Sequence, residues 1–232
     1  MKLLALPFLS FALLPLASPA QSGAGYEVTG QISGLADGTR LYLIDGSRRV
    51  RIDSATVQQG HFTLRGKVAE PVHTYLYAGR GRTSTKLTDI LLDNQHVEIN
   101  GSKPLYDDVI VSGSDIDRQW KEWFREDARL AQRRADLGQR ATARLAQPDT
   151  AGAGTLRHER TQVQRERITL LKAYVRRYHD TAVGAALPNL CTLSASLTGA
   201  DYQEMYQSLT PRWQQSTMGR EVLAQAGKHP AK

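Results

Sequence analysis

Between Tyr26 and Val111 apolar and polar positions alternate with a period of two, and turn residues interrupt the alternation roughly every ten positions. The pattern predicts strands over Tyr26–Ile32, Thr39–Ile44, Arg49–Val57, His61–Arg65, Val72–Tyr77, Thr88–Leu92, His96–Asn100 and Asp108–Val111. Gly34–Gly38, Asp45–Gly46, Gln58–Gly60, the loop Gly79–Ser84 and Asp93–Gln95 separate them. About eight short strands with regular turns predict an antiparallel sandwich or barrel-like sheet.

The period then changes to that of a helix. Ser114 is a predicted N-cap, with Asp115 and Asp117 near the positive end of the helix dipole. Ile116, Trp120, Trp123, Leu130, Leu137 and Ala141 recur at helical spacing, and Asp127 and Arg134 interrupt that stripe. Pro148 and Gly152–Gly154 end the helix. Leu156, Val163, Leu170 and Tyr174 begin a return helix, widened by Ile168, Leu171, Val175 and Tyr178. Together the two predict an antiparallel helical hairpin. Apolar positions thin out between Gln132 and Arg167, so this end is expected to project into solvent or toward a partner.

Small and apolar residues over Ala182–Leu197 predict a tightly packed helix that Pro188 interrupts or restarts. Tyr202, Met205, Tyr206 and Leu209 mark a short amphipathic helix. Thr210-Pro211 has proline at a helix start, and Trp213–Ala226 is expected as one final helix. The fold class is therefore α+β. An N-terminal antiparallel β-sandwich (residues 21–113) precedes a long helical hairpin (114–180), a small helical bundle (181–226) and a linker-like tail (227–232).

The first twenty residues change the expected address. Lys2, the apolar run Leu3–Ala17 and the small residues of Ser18-Pro19-Ala20 form a signal peptide cleaved after Ala20, which implies export to the periplasm or cell envelope. The run is short against the roughly 20 apolar residues of a membrane-crossing helix, so no transmembrane segment is expected in the mature chain. No cysteine lies near the cleavage point to carry a lipid anchor.

The net charge of +7 is unevenly placed. Residues 21–113 carry ten basic and ten acidic side chains, whereas 114–180 carry fifteen and ten. Basic residues mixed with acids along a helix describe a solvated surface, so no nucleic-acid partner is expected.

Candidate chemistry is sparse. Cys191 is the single cysteine, which excludes an internal disulfide framework. In Leu190-Cys191-Thr192-Leu193 it reads as a small buried hydrophobe, with a mixed disulfide or covalent dimer as the alternative. His61, His73 and His96 fall on strands and could bind a metal only if they met on one face. Asp45, Asp53, Asp89 and Asp93 could pair, although Asp45 and Asp93 sit in turn signatures where they bond local backbone.

Gly79-Arg80-Gly81-Arg82 could take an anion, and Asn100-Gly101-Ser102 is explained by a turn. Trp120, Trp123 and Phe124 share one side of their helix and are expected to dock it onto the sheet, or else to line a partner groove. No catalytic, cofactor-binding or metal-ligating set is expected.

Several stretches resemble a domain of unknown function found in Gram-negative envelope proteins. They include Val28–Thr39, Leu41-Tyr42-Leu43, Ile52–Val57, Gly60–Leu64, Gly66-Lys67-Val68, Glu70-Pro71, Leu91–Asn94 and Val111–Ser114. That domain usually precedes thioredoxin-like domains of thiol–disulfide oxidoreductases and peroxiredoxin-like proteins. Asp201–Pro211 and Ser216–Arg220 resemble the helices before such a redox domain, and Gly227–Ala231 resembles its opening. The resemblance implies a fold and an envelope address. No Cys-x-x-Cys pair matches its redox site, so it carries over no catalytic residue.

The expected function is a non-enzymatic exported interaction or spacer module, with a protein partner or self-association. One alternative is an accessory, or the front half, of a thioredoxin-like oxidoreductase acting in trans. The other is a glycan-binding or hydrolytic protein using the sheet surface.

Overall fold

The structure, a computed structural model, describes residues 25–146 and 152–229. The expected signal peptide, Pro148 and the end of the expected tail lie outside the described residues. Eight strands occupy the N-terminal half: β1 (Tyr26–Ile32), β2 (Arg40–Asp45), β3 (Arg51–Thr56), β4 (His61–Gly66), β5 (Val72–Ala78), β6 (Thr85–Leu92), β7 (His96–Gly101) and β8 (Val109–Ser112). They make two four-stranded sheets, ordered β4-β1-β7-β8 and β3-β2-β5-β6.

Five of the six strand pairings are antiparallel, and β1 runs parallel to β7. The chain leaves β1, builds most of the second sheet, and returns with β7 against the free side of β1.

The period-two pattern explains the sandwich. Val28, Leu64, Val97 and Ile99 from one sheet and Leu41, Leu43, Leu76 and Ile90 from the other are buried in one apolar core. Each such side chain contributes about 1.5–3 kcal/mol through burial. Ile90-Leu91-Leu92 breaks the alternation because β6 is buried on both sides. Ile90 and Leu92 face the sandwich core, and Leu91 belongs to a second, helical core.

Six helices follow: α1 (Asp115–Leu145), α2 (Ala153–Arg177), α3 (Ala182–Leu190), α4 (Gly199–Ser208), α5 (Pro211–Gln214) and α6 (Thr217–Lys228). The Ser114 hydroxyl caps α1 by accepting from Asp117 N, as its residue type predicts. Before α2, Gly152 adopts φ 82°, a left-handed conformation that glycine takes without strain. The base of the hairpin buries Trp120, Trp123, Leu171 and Val175 against Val183, Leu187, Tyr202, Met205 and Val222.

Three sequence expectations shift. The helix expected over Trp213–Ala226 is two helices, because α5 closes at its C-cap Gln215 and the Ser216 hydroxyl caps α6 by accepting from Gly219 N. Pro188 lies inside α3, which ends two residues later. Gly227 and Lys228 complete α6 as exposed helical residues and His229 stacks on Tyr202 at 5.4 Å, so these residues of the expected tail belong to the helix and its end.

The sandwich and helices are joined by side chains from both. Leu91 N on edge strand β6 donates to Asp117 Oδ1 at 2.9 Å. The rings of His73 and Trp120 meet edge-on at 5.2 Å. Glu70 accepts from Thr217 N at 2.9 Å, which sets a carboxylate on the N-terminus of α6. That bond holds the Glu70 carboxyl below its ordinary value.

Candidate functional site

The outer face of the β3-β2-β5-β6 sheet divides into a covered half and an open half. On β5, His73, Tyr75 and Tyr77 alternate onto this face. Leu91 and His73 lie opposite each other and are covered by α1 through Trp120. Farther along, Tyr42 stands opposite Tyr77 and Ile44 opposite Tyr75, and all four remain partly exposed. Tyr42, Ile44, Arg51, Tyr77 and the Gly79–Gly81 turn line a shallow groove of about 550 Å³.

Cations surround the rings. Arg80 Nε donates to the Tyr42 hydroxyl at 2.8 Å. Arg49 lies 5.4 Å above Tyr75, and Lys86 Nζ lies 4.5 Å from Tyr75 and 4.6 Å from Tyr106. Slight desolvation raises the Tyr42 phenol, and the Arg80 and Arg40 guanidiniums outweigh it, leaving the phenol below its ordinary value.

The boundary between the halves is a polar cluster. Asp89 accepts from Tyr106 at 2.7 Å and from Lys86 at 3.2 Å, and His73 Nε2 stands 3.6 Å away. Burial opposes ionisation of Asp89, but these donors outweigh it and hold the carboxyl well below the usual range. Next to it, Asp117 is pushed up by burial, against the pull of Lys121 and of Leu91 N–H. Asp89 is thus neutralised by its neighbours, and the groove beside it is left electropositive.

The structure distributes the other sequence candidates widely. Cys191 is buried, and desolvation raises its thiol to about 11. His61 and His96 are exposed, with His96 near Glu27 and Glu98, while His73 is buried on the other sheet. Among the described residues, no group of three or more His, Cys, Asp or Glu is placed to hold a metal ion. Asp45 is buried and accepts from Ser47 N, Arg48 N and Arg48 Nε, the expected turn role. Asp53 accepts from Ser54 N and Tyr26, far from the Asp89 cluster in the sheet register.

Asp93 is raised by burial and makes no hydrogen bond through its buried Oδ1. Trp120 meets His73 of the sheet, the docking role expected of it, while Trp123 is buried in the helical core against Phe124. Gly79, Arg80 and Gly81 of the expected anion loop line the groove, together with Tyr42 and Tyr77, which the sequence pattern alone does not single out. Tyr at alternate positions of β5 was the available signal.

Fold and groove together define an α+β protein in which a β-sandwich presents one half-uncovered sheet face. Residues 26–120, the sandwich together with the start of α1, match the family model described as a domain of unknown function, DUF4369. The matched stretch ends at Trp120, so it includes Asp117 and the Trp120 ring that cover the sheet. No curated protein and no solved structure matches the chain. Among the described residues, no helix is long and apolar enough to cross a membrane.

Proposed function

We propose that the protein is an exported, non-enzymatic binding module of the cell envelope that docks a protein partner on the open half of its outer sheet. The observation that carries this reading is the groove itself. Tyr42, Tyr75 and Tyr77 share one face with Arg49, Arg51, Arg80 and Lys86, while Asp89 is already neutralised. Tyrosine and arginine are the residue types enriched where protein interfaces carry their energy. The cationic rim selects a partner with an acidic face. An envelope thiol–disulfide oxidoreductase is the first partner to test, because the resemblance of the sandwich implies it. The buried Cys191 thiol favours a non-covalent association.

The test is crosslinking and capture of the mature chain in envelope extracts, with Tyr77→Ala and Arg80→Glu beside it. A specific partner should be lost with both variants, with Tyr77→Ala weakening it by about 2 kcal/mol, the scale of an interface hot spot. A chain that stays monomeric and captures nothing would sink the reading. Capture unaffected by both variants would move the docking face elsewhere. N-terminal sequencing of the cellular protein tests export, with Gln21 expected as the first residue.

A further inference from the structure

The outer part of the hairpin contains a second electropositive cavity, far from the tyrosine groove. Arg134 of α1 and Arg157, Arg160, Thr161 and Gln164 of α2 line a space of about 380 Å³. The four α2 residues recur at three and four positions, so they form one stripe along the edge of the α1–α2 seam, with Arg157, Arg160 and Thr161 exposed and Gln164 half-buried. Arg134 Nε and Gln164 Oε1 are out of contact with solvent and have no hydrogen-bond partner.

Among the described residues, no carboxylate lies within ion-pair distance of Arg134, Arg157 or Arg160. The nearby acids are committed elsewhere, Glu166 to Arg133 and Asp136 to Gln132. Glu159 is exposed and falls off the cavity stripe. Arg160 lies against α1 at Gly138, where a Cβ would meet Arg160 Nε at 3.4 Å, ordinary van der Waals contact.

We propose that this cavity binds a phosphate group, carried either by a small soluble molecule or by a lipid headgroup. Three guanidiniums line a single space, and the Thr161 hydroxyl beside them already donates to Arg157 O at 3.0 Å. Guanidinium forks pair with phosphate oxygens through paired, charge-assisted bonds. One carboxylate has two oxygens and satisfies one fork, whereas a phosphate dianion offers enough acceptors for the set. Burial and the like charges of Arg160 and Arg167 already pull the Arg134 guanidinium below its ordinary value, which is the strain that a bound dianion relieves.

The experiment is titration of the mature chain with inorganic phosphate at constant ionic strength, read by melting temperature, with chloride and acetate as controls. Sedimentation with phosphatidylcholine vesicles, with and without phosphatidic acid, runs in parallel. Arg160→Gln removes a cavity charge, and Arg165→Gln removes an exposed charge outside the cavity. Saturable stabilisation by phosphate alone, weakened at least about tenfold in Arg160→Gln and unchanged in Arg165→Gln, is expected for a soluble ligand. Vesicle binding that needs phosphatidic acid and follows the same variant pattern assigns the lipid source. No response to either probe, or equal losses in the two variants, overturns the proposal.

Discussion

Asp127 and Arg134 lie seven residues apart on one side of α1, and both interrupt its apolar stripe. Asp127 is 3% exposed and meets Arg167 of α2 in a two-pronged pair, Nε to Oδ1 at 2.7 Å and Nη2 to Oδ2 at 2.6 Å. Thr192 accepts a further bond from Arg167 at 3.0 Å, so the layer is closed. Arg134 meets other arginines, and its Nε is buried without a partner. One interruption locks the base of the hairpin together. The other leaves its outer part incomplete. The same kind of sequence irregularity is structural where a counter-charge comes from the opposite helix and a binding opportunity where none does.

The largest expected effect comes from opening the closed layer. Asp127→Ala leaves the Arg167 charge buried and unpaired, which should cost about 3–5 kcal/mol in urea unfolding. Replacing both partners together, Asp127→Leu with Arg167→Met, should recover most of that loss. If the single change costs under about 1 kcal/mol, the pair is not the lock described here.

Acid should weaken the covered half of the sheet next. Asp89 has a depressed folded-state value, so its contribution is present above the unfolded value of about 4 and lost as pH falls below it. Asp117 has the opposite sign, because its raised value returns stability as pH falls. Stability measured from neutral pH into acid should therefore fall less steeply in Asp89→Asn and more steeply in Asp117→Asn. Identical slopes in both variants would refute this assignment.

Native-state alkylation probes the packed base directly. With its thiol raised to about 11, Cys191 should react with iodoacetamide at neutral pH about a hundredfold more slowly in the native protein than in urea. Equal rates would place the thiol in solvent. The smallest effect is expected at the incomplete layer, where Arg134→Met should be neutral or stabilising by about 0.5 kcal/mol, since it removes like-charge neighbours. A loss above about 1 kcal/mol there would mean that Arg134 has a structural partner.

Much of this architecture can be read from local pattern. Strand alternation marks most of the strands, short apolar runs between turn residues mark β6 and β8, and the Ser114 cap and helical stripe mark α1. Asp127 and Arg134 were visible as interruptions, but not their different roles, because the partner of Asp127 lies 40 residues away in the opposite helix. The parallel pairing of β1 with β7 likewise depends on a return from another sheet. Tyr75 and Tyr77 look like ordinary half-buried strand residues. Only the docking of Trp120 over His73 decides which part of their face stays open.

Strand β6 has one further consequence. Because Ile90 and Leu92 serve one core and Leu91 the other, a single strand is the common wall of both. The joint between sheet and hairpin is therefore made of side chains that belong to both cores. Arg134 lies 17 residues beyond Asp117 on the same unbroken helix, roughly 25 Å along its axis. The open sheet face beside Asp117 and the arginine-lined space beside Arg134 are thereby spaced by the length of one helix.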